Sequence, residues 1–336
     1  MIYKEFIDLK LSEMGIGTYL GELDEKTDAG YYETIKAAIE KGVNVIDTAI
    51  NYRYMKSERV IGKVLSKVGR DKVIVSTKGG YIPYDVDTKI DPRDYFEENF
   101  LKTGIVDVKE MTPQGHYLGK EFINWCFNKS LENLKTDYID IYFLHNPEEQ
   151  LLYIEREKFN GKIRECFELL EEKVEKGKLR YYGLATWHGF RLTPASRQYL
   201  NLKELVEIAE SVAGKEHHFK FIQLPYNLGM SEAFTLKNQT VNSNNLSILE
   251  AAQELGIYTY ISATIYQGNV IGRVPQSLKD FFKLDNDVQV AIQFVRSTPG
   301  VGSFLIGMSK IEHLLENLKV LELSPLEREK FLTLFK

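Results

Sequence analysis

Four side chains in the first half of the sequence have types and neighbours suited to moving a proton: Asp47, Tyr52, Lys78 and His145. Asp47 opens the run Asp47-Thr48-Ala49-Ile50-Asn51-Tyr52, Lys78 follows Val75-Ser76-Thr77, and His145 follows Tyr142-Phe143-Leu144. A free phenol, with a pKa near ~10, is a weak acid at neutral pH. An ammonium beside it favours the phenolate, so Lys78 is expected to lower the Tyr52 pKa while Asp47 keeps Lys78 charged and in place. An imidazole can orient or polarise a carbonyl oxygen, which makes His145 the partner of the phenol. Taken singly, an Asp and a Lys form a structural bridge and a Tyr beyond a strand packs a rim. The functional reading rests on all four meeting in one place.

Parallel strands that end together would bring them there. Eight short apolar runs rich in Val, Ile and Tyr, at 14–18, 43–47, 73–77, 139–144, 180–185, 219–224, 257–262 and 302–307, alternate with segments of helical period. Helices are predicted over 30–41, 57–68, 120–134, 162–176, 202–213 and 247–255; five of these six stop at a glycine (Gly42, Gly69, Gly177, Gly214 and Gly256). Eight strands in strict alternation, with no all-helical or all-β region left over, predict one domain over 1–336 that closes into a (β/α)8 TIM barrel. In such a barrel the working groups sit at the C-terminal strand ends, where Asp47, Tyr52, Lys78 and His145 fall. The stretch 2–11 is predicted to form a short hairpin plugging the barrel floor. The segments 79–119 and 227–245 exceed ordinary loops, and the first is expected to cover the barrel mouth.

The runs Asp47-Thr48-Ala49-Ile50-Asn51-Tyr52, Ser76-Thr77-Lys78 and Asp137-Tyr138-Ile139-Asp140-Ile141-Tyr142-Phe143-Leu144-His145 resemble the signature of the aldo-keto reductase family. The resemblance extends over 14–320. It implies a catalytic tetrad of Asp47, Tyr52, Lys78 and His145, and hydride transfer between C4 of a nicotinamide and a carbonyl carbon. The substrate would be a small carbonyl compound or the corresponding alcohol, with aldehydes or small sugars as the conservative choice.

The resemblance also implies a cofactor site, residue by residue. Gly17, Thr18 and Tyr19 would lie near the nicotinamide ribose and Gln223 would grip the carboxamide. Ser262, Thr264, Gln267 and Gly268 would wrap the pyrophosphate. Gly307, Ser309 and Lys310 would meet the adenosine phosphate, where a helix N-terminus supports an anion, and Glu316 and Asn317 would hold adenine. Ser309 and Lys310 favour NADP(H), with NAD(H) left open. The chain departs from the family at several places. Ala185-Thr186 replaces a usual Ser-Asn, so Thr186 must take over a contact. Ile261 stands where an aromatic ring is usual, His313 where a basic residue is usual, and Arg53 where glycine usually follows the catalytic tyrosine.

Composition narrows the alternatives. The 336 residues are 43% hydrophobic and 27% charged, the balance of a folded protein with a large core. A net charge of -5, with cations scattered among acids, gives no footprint for nucleic acid. No apolar run reaches the length of a membrane span, and the charged start of the chain reads as cytoplasmic. Cys126 and Cys166 are expected to be reduced packing residues. Gly15-Ile16-Gly17-Thr18-Tyr19-Leu20-Gly21 has the wrong glycine spacing for a dinucleotide fingerprint. His217-His218 lacks further ligands at metal spacing, so no metal is expected. Trp125 reads as core packing, and Trp187-His188 as a candidate pocket wall. Two other functions fit the same barrel: a Schiff-base aldolase using Lys78, and a regulatory subunit that binds nicotinamide cofactor without turnover.

Overall fold

The computed structural model describes Met1–Lys336. Its centre is a closed barrel of eight parallel strands: β3 (Met14–Gly17), β4 (Val45–Asp47), β5 (Ile74–Gly79), β6 (Ile139–His145), β7 (Leu179–Ala185), β8 (Phe219–Pro225), β11 (Tyr258–Ser262) and β12 (Ser303–Gly307). β12 pairs back onto β3 and closes the ring, with Gly307 beside Gly17. All eight fall on the predicted runs within two residues at either end. Ahead of them β1 (Tyr3–Phe6) and β2 (Leu9–Ser12) form the antiparallel hairpin expected from 2–11. Leu9 and Leu11 bury into the barrel interior with Val45, Ile74, Ile141, Phe143, Tyr181, Phe221, Tyr260 and Leu305.

That interior list explains the polar strand ends. Side chains alternate faces along a strand, so the inward residues step by two. Val45 is followed inward by Asp47, Ile74 by Ser76 and Lys78, Phe143 by His145, Phe221 by Gln223, Tyr260 by Ser262 and Leu305 by Gly307. The apolar layers at the bottom and the polar ring at the top are the same face of the same strands. At Gly183 the strands β7 and β8 approach so closely that a Cβ would stand 1.9 Å from the Phe221 carbonyl oxygen, where the pairing register slips.

The outer helices are α1 (Glu25–Glu40), α2 (Lys56–Val68), α4 (Lys120–Leu134), α5 (Arg156–Glu175), α6 (Leu202–Ala213), α8 (Ile248–Glu254), α10 (Asp287–Ser297) and α11 (Ile311–Val320). A cluster of 70 buried apolar residues fills the layer between them and the strands. Shorter helices are α3 (Pro92–Phe96), α7 (Glu232–Thr235), α9 (Gln276–Phe282) and α12 (Arg328–Leu332), and a small hairpin, β9 (Gln239–Val241) with β10 (Asn244–Leu246), lies in the 227–245 segment. No helix is long and apolar enough to cross a membrane.

Two helices start earlier than their patterns predict. α1 begins at Glu25 because Asp24 caps it, accepting from the Thr27 N–H at 2.8 Å. Gly30, read as its first residue, lies inside the helix where the Ser309 carbonyl oxygen would be 2.5 Å from a Cβ. α5 begins at Arg156, carrying Phe159 into the core; Gly161, which interrupts the pattern, faces open space. α11 begins where a helix N-terminus is expected after Lys310, whereas α9 and α10 have no counterpart in the predicted helices. α10 announces itself only through the Asn286 cap, which accepts from the Gln289 N–H.

The 79–119 segment is joined at its base by a bridge between Tyr81 and His116. Beyond that bridge it runs against α2 and α4: Arg59 pairs with Asp85, and Phe100 packs on Phe122 and Trp125. The two cysteines are buried and unbonded.

Candidate active site

Asp47 ends β4 pointing into the barrel, and three donors converge on its carboxylate. Lys78 Nζ donates to Oδ2 at 2.6 Å, while Ser76 Oγ and Gln223 Nε2 donate to Oδ1 at 2.6 and 2.9 Å. Lys78 also donates to the Thr48 carbonyl oxygen at 2.7 Å. Its ammonium stands 4.9 Å from the centre of the Tyr52 ring. Tyr52 in turn lies edge-on to Tyr19 at 5.0 Å and to His145 at 5.8 Å. The four expected residues therefore form one cluster. Tyr54 points elsewhere: it is half exposed and packs on Tyr84.

The electrostatics differ from the expectation in one respect. Tyr52 is held well above the ordinary phenol value, first by burial and then by the Asp47 carboxylate and the neighbouring Tyr19 and Tyr81. Lys78 was expected to lower it. That ammonium is itself buried, which lowers its own pKa against the opposing pull of Asp47. Asp47 touches it and offsets its field at the phenol. His145 is held well below its usual range by burial, with Lys78 and His116 adding to the effect, so the imidazole is neutral. Its carbonyl oxygen accepts from His116 Nε2 at 2.7 Å, and Gln150 donates to His116 Nδ1 at 3.0 Å. These two bonds fix His116 as the neutral Nε2–H tautomer.

The turn carrying Tyr52 is unusual. Arg53, Tyr54 and Met55 all have left-handed backbone angles, with φ of 48°, 51° and 72°. Non-glycine residues adopt these only when the surroundings hold them. Here the buried Arg53 guanidinium donates to the Glu22 carbonyl oxygen at 2.6 Å and to Asp28 Oδ1 at 2.6 Å.

Tyr52 and His145 stand at one end of a cavity of about 1050 Å3. Its wall includes the expected Gly17, Thr18, Tyr19, Asp47, Thr186, Gln223, Ser262, Thr264, Gln267, Gly268, Gly307, Glu316 and Asn317. It also includes Trp187 and His313. Ser309 and Lys310 lie just outside, leading into α11, and Ile261 is buried behind the wall. Lys78 is buried behind Asp47 and does not reach the wall, so the imine-forming amine of the aldolase alternative is not presented to a substrate. His218 bonds Glu171 at 2.8 Å, on the side away from the cavity.

Several wall residues escaped the sequence reading: Asn51, Tyr81, Asn146, Ile271, Leu305 and the run Asp285 to Val288. Leu305 could have been found as the inward residue two before Gly307. Nothing local marks Tyr81 or Asn146, which meet through a bond from Asn146 Nδ2 to the Tyr81 hydroxyl at 2.8 Å. Tyr81 in turn donates to Glu149. Of the 79–119 segment, Tyr81 is the residue that reaches the cavity.

Three buried polar atoms of wall residues have no partner within the protein: Asn51 Oδ1, His145 Nδ1 and Thr264 Oγ1. The floor between β3 and β12 is bare. A Cβ on Gly307 would meet only the Gly17 carbonyl oxygen, at 3.7 Å, and would stand in the cavity. In the segment that carries Ser262 to Gly268, the wall residues Ala263 and Gln267 and the intervening Tyr266 hold left-handed angles. Strain of this kind gathers at ligand clamps.

Comparison with known proteins agrees with this geometry. The family model described as "Aldo/keto reductase family" matches residues 13–209. The chain is 29% identical to aldo-keto reductase YhdN of Bacillus subtilis over 53% of its own length and 44% of that protein's. It is 30% identical to the NADH-specific methylglyoxal reductase of Escherichia coli over 59% of its own length and 54% of that protein's. The matched stretches thus span about half the length of these two relatives. Among solved structures, an aldo/keto reductase from Klebsiella pneumoniae in complex with NADP and acetate superposes with a TM-score of 0.65 at 19% identity, covering 97% of this chain and 90% of that one.

Proposed function

The chain belongs to the aldo/keto reductase family, and from that premise we propose that it is an oxidoreductase reducing aldehydes or ketones with NADP(H), Tyr52 giving the proton. The observation that carries this reading is the placing of a protonated phenol, Tyr52, beside neutral His145 at the end of a deep cavity, above a buried Lys78–Asp47 pair.

The wall fits a nicotinamide dinucleotide. The bare floor at Gly17 and Gly307 accepts a flat group, and the unpartnered Thr264 hydroxyl and Asn51 oxygen offer hydrogen bonds. Thr18, Tyr19, Thr186 and Gln223 would hold the nicotinamide end; Ser262, Thr264, Gln267 and Gly268 the pyrophosphate; Ser309, Lys310, Glu316 and Asn317 the adenosine end. The K. pneumoniae neighbour is described in complex with NADP, and Ser309 and Lys310 favour NADP(H), with NAD(H) as the alternative.

When bound, the reduced nicotinamide supplies the hydride that the carbonyl carbon needs. The chain's own residues do the rest. His145 orients the carbonyl oxygen, and Tyr52 passes its phenolic proton to that oxygen as negative charge develops there. A raised phenol pKa makes Tyr52 a weaker acid, so its proton moves late, once the carbonyl oxygen approaches the basicity of an alkoxide. It keeps Tyr52 protonated until the charge appears. Lys78, held by Asp47 and 4.9 Å from the Tyr52 ring, is the cation beside the phenolate left behind, its field there reduced by Asp47. The test is loss of reduced-nicotinamide absorbance with NADPH or NADH against a panel of aldehydes, ketones and aldoses. Absence of turnover across the panel with both coenzymes would overturn the reading.

A further inference from the structure

The charges around the Tyr52 end of the cavity point to the substrate. Its wall there is Tyr19, Leu20, Tyr81 and Trp187 around Tyr52 and His145, with Asn51 and Asn146 as the added polar groups. Tyr19 and Leu20 are half exposed, at 54% and 50%, and together with Trp187 offer apolar area that a bound molecule would cover. At this end no Lys or Arg lines the wall, and the acid that does, Asp47, is already paired with Lys78.

The cations nearest this end are already committed. Lys78 is bound to Asp47 and buried behind it. Arg53 donates to Glu22 and Asp28, and although its buried Nη1 is unpartnered it does not line the cavity. Arg191 donates to the Trp187 carbonyl oxygen at 3.0 Å and pairs with Glu232. The wall is backed instead by carboxylates. Glu148, fully buried, accepts the backbone N–H groups of Trp187, His188 and Gly189 at 2.8, 2.8 and 3.2 Å, and Glu149 accepts the Tyr81 hydroxyl. A carboxylate or phosphate brought to this end would lose its water and meet no positive partner.

We propose that this site takes uncharged carbonyl compounds with a flat, apolar body and rejects those carrying a carboxylate or phosphate. This rests on the carbonyl-reductase reading above and narrows it. Aromatic side chains at the wall favour a planar body through offset or edge-on packing. The neutral imidazole of His145 serves a carbonyl oxygen without a countercharge.

Methyl 4-formylbenzoate and 4-formylbenzoate test the idea, because they share a planar para-substituted benzaldehyde body and differ in charge; the ester is also the more electrophilic aldehyde, so binding is read apart from turnover. With saturating coenzyme, kcat/KM for the ester is expected to exceed that for the acid at least about 30-fold, the effect of leaving a buried charge unpaired. Binding is read separately through Trp187 fluorescence in a Trp125→Phe background, where the ester should quench at concentrations at which the acid does not. Equal kcat/KM and equal quenching for the two compounds would overturn the proposal while leaving carbonyl reduction intact. Selective quenching by the ester without turnover would overturn the carbonyl-reductase reading and support the selectivity of the site.

Discussion

Lys78 Nζ and Asp47 Oδ2 lie 2.6 Å apart, with the ammonium side chain 0% exposed and the carboxylate 5%. A pair this deep is worth little net stability against apolar residues of the same shape, but breaking it leaves a charge stranded. Asp47→Ala should therefore destabilise the fold by about 3–5 kcal/mol and abolish carbonyl reduction. Asp47→Asn with Lys78→Met removes both charges, and should recover most of the lost stability in chemical denaturation while remaining inactive. If the double variant were as unstable as Asp47→Ala, the stranded charge would not be the cause.

Tyr52 and Tyr54 are two residues apart, yet Tyr52 lines the cavity and Tyr54 packs outside on Tyr84. Tyr52→Phe should lower kcat by a factor of roughly 10² to 10⁴, the usual range for a positioned proton donor, and leave coenzyme affinity nearly unchanged. Tyr54→Phe should alter kcat little. Turnover that survives the first change and is lost in the second would reassign the donor.

Lys310 is exposed at the entry to α11, beside the cavity end that holds Glu316 and Asn317. NADPH should bind more tightly than NADH, and Lys310→Ala should narrow that gap by roughly fivefold, the scale of one exposed ion pair. Tighter NADH binding in the unmodified protein would refute the preference.

His116 connects the insertion base to β6 at the His145 carbonyl, and burial lowers its pKa from 6.5 to about 4. Between these values the unfolded chain takes up a proton that the folded one refuses. Stability is therefore complete above pH 6.5 and falls as the pH drops toward 4, by on the order of 3 kcal/mol for this group. His217, also lowered to about 4, adds to the fall. Thermal unfolding of His116→Gln across this range should show a shallower decline than the parent; an identical slope would exclude His116 as a contributor.

Local chemistry was enough to read the barrel and much of its polar ring. The β runs show in the sequence because burial on both faces makes them short apolar stretches and side-chain alternation sets which residues face inward, and the glycines after α1, α2, α5, α6 and α8 mark helix ends through backbone sterics alone. The same alternation carries Asp47, Lys78 and His145 to one face once the strands are aligned. Ser309 and Lys310, read from a resemblance along the chain, lie just outside the cavity wall at the entry to α11, whose His313, Glu316 and Asn317 line it. What only the tertiary structure decided are properties set by distant partners. The Tyr52 pKa rises because burial and Asp47 outweigh Lys78. Tyr81, 29 residues beyond Tyr52, reaches the same cavity because His116 closes its loop. The lack of any Lys or Arg on the wall follows from ion pairs such as Arg191–Glu232 that span 41 residues. Electrostatic fields and desolvation are sums over everything nearby in space, and neighbours in space cannot be read from neighbours in sequence.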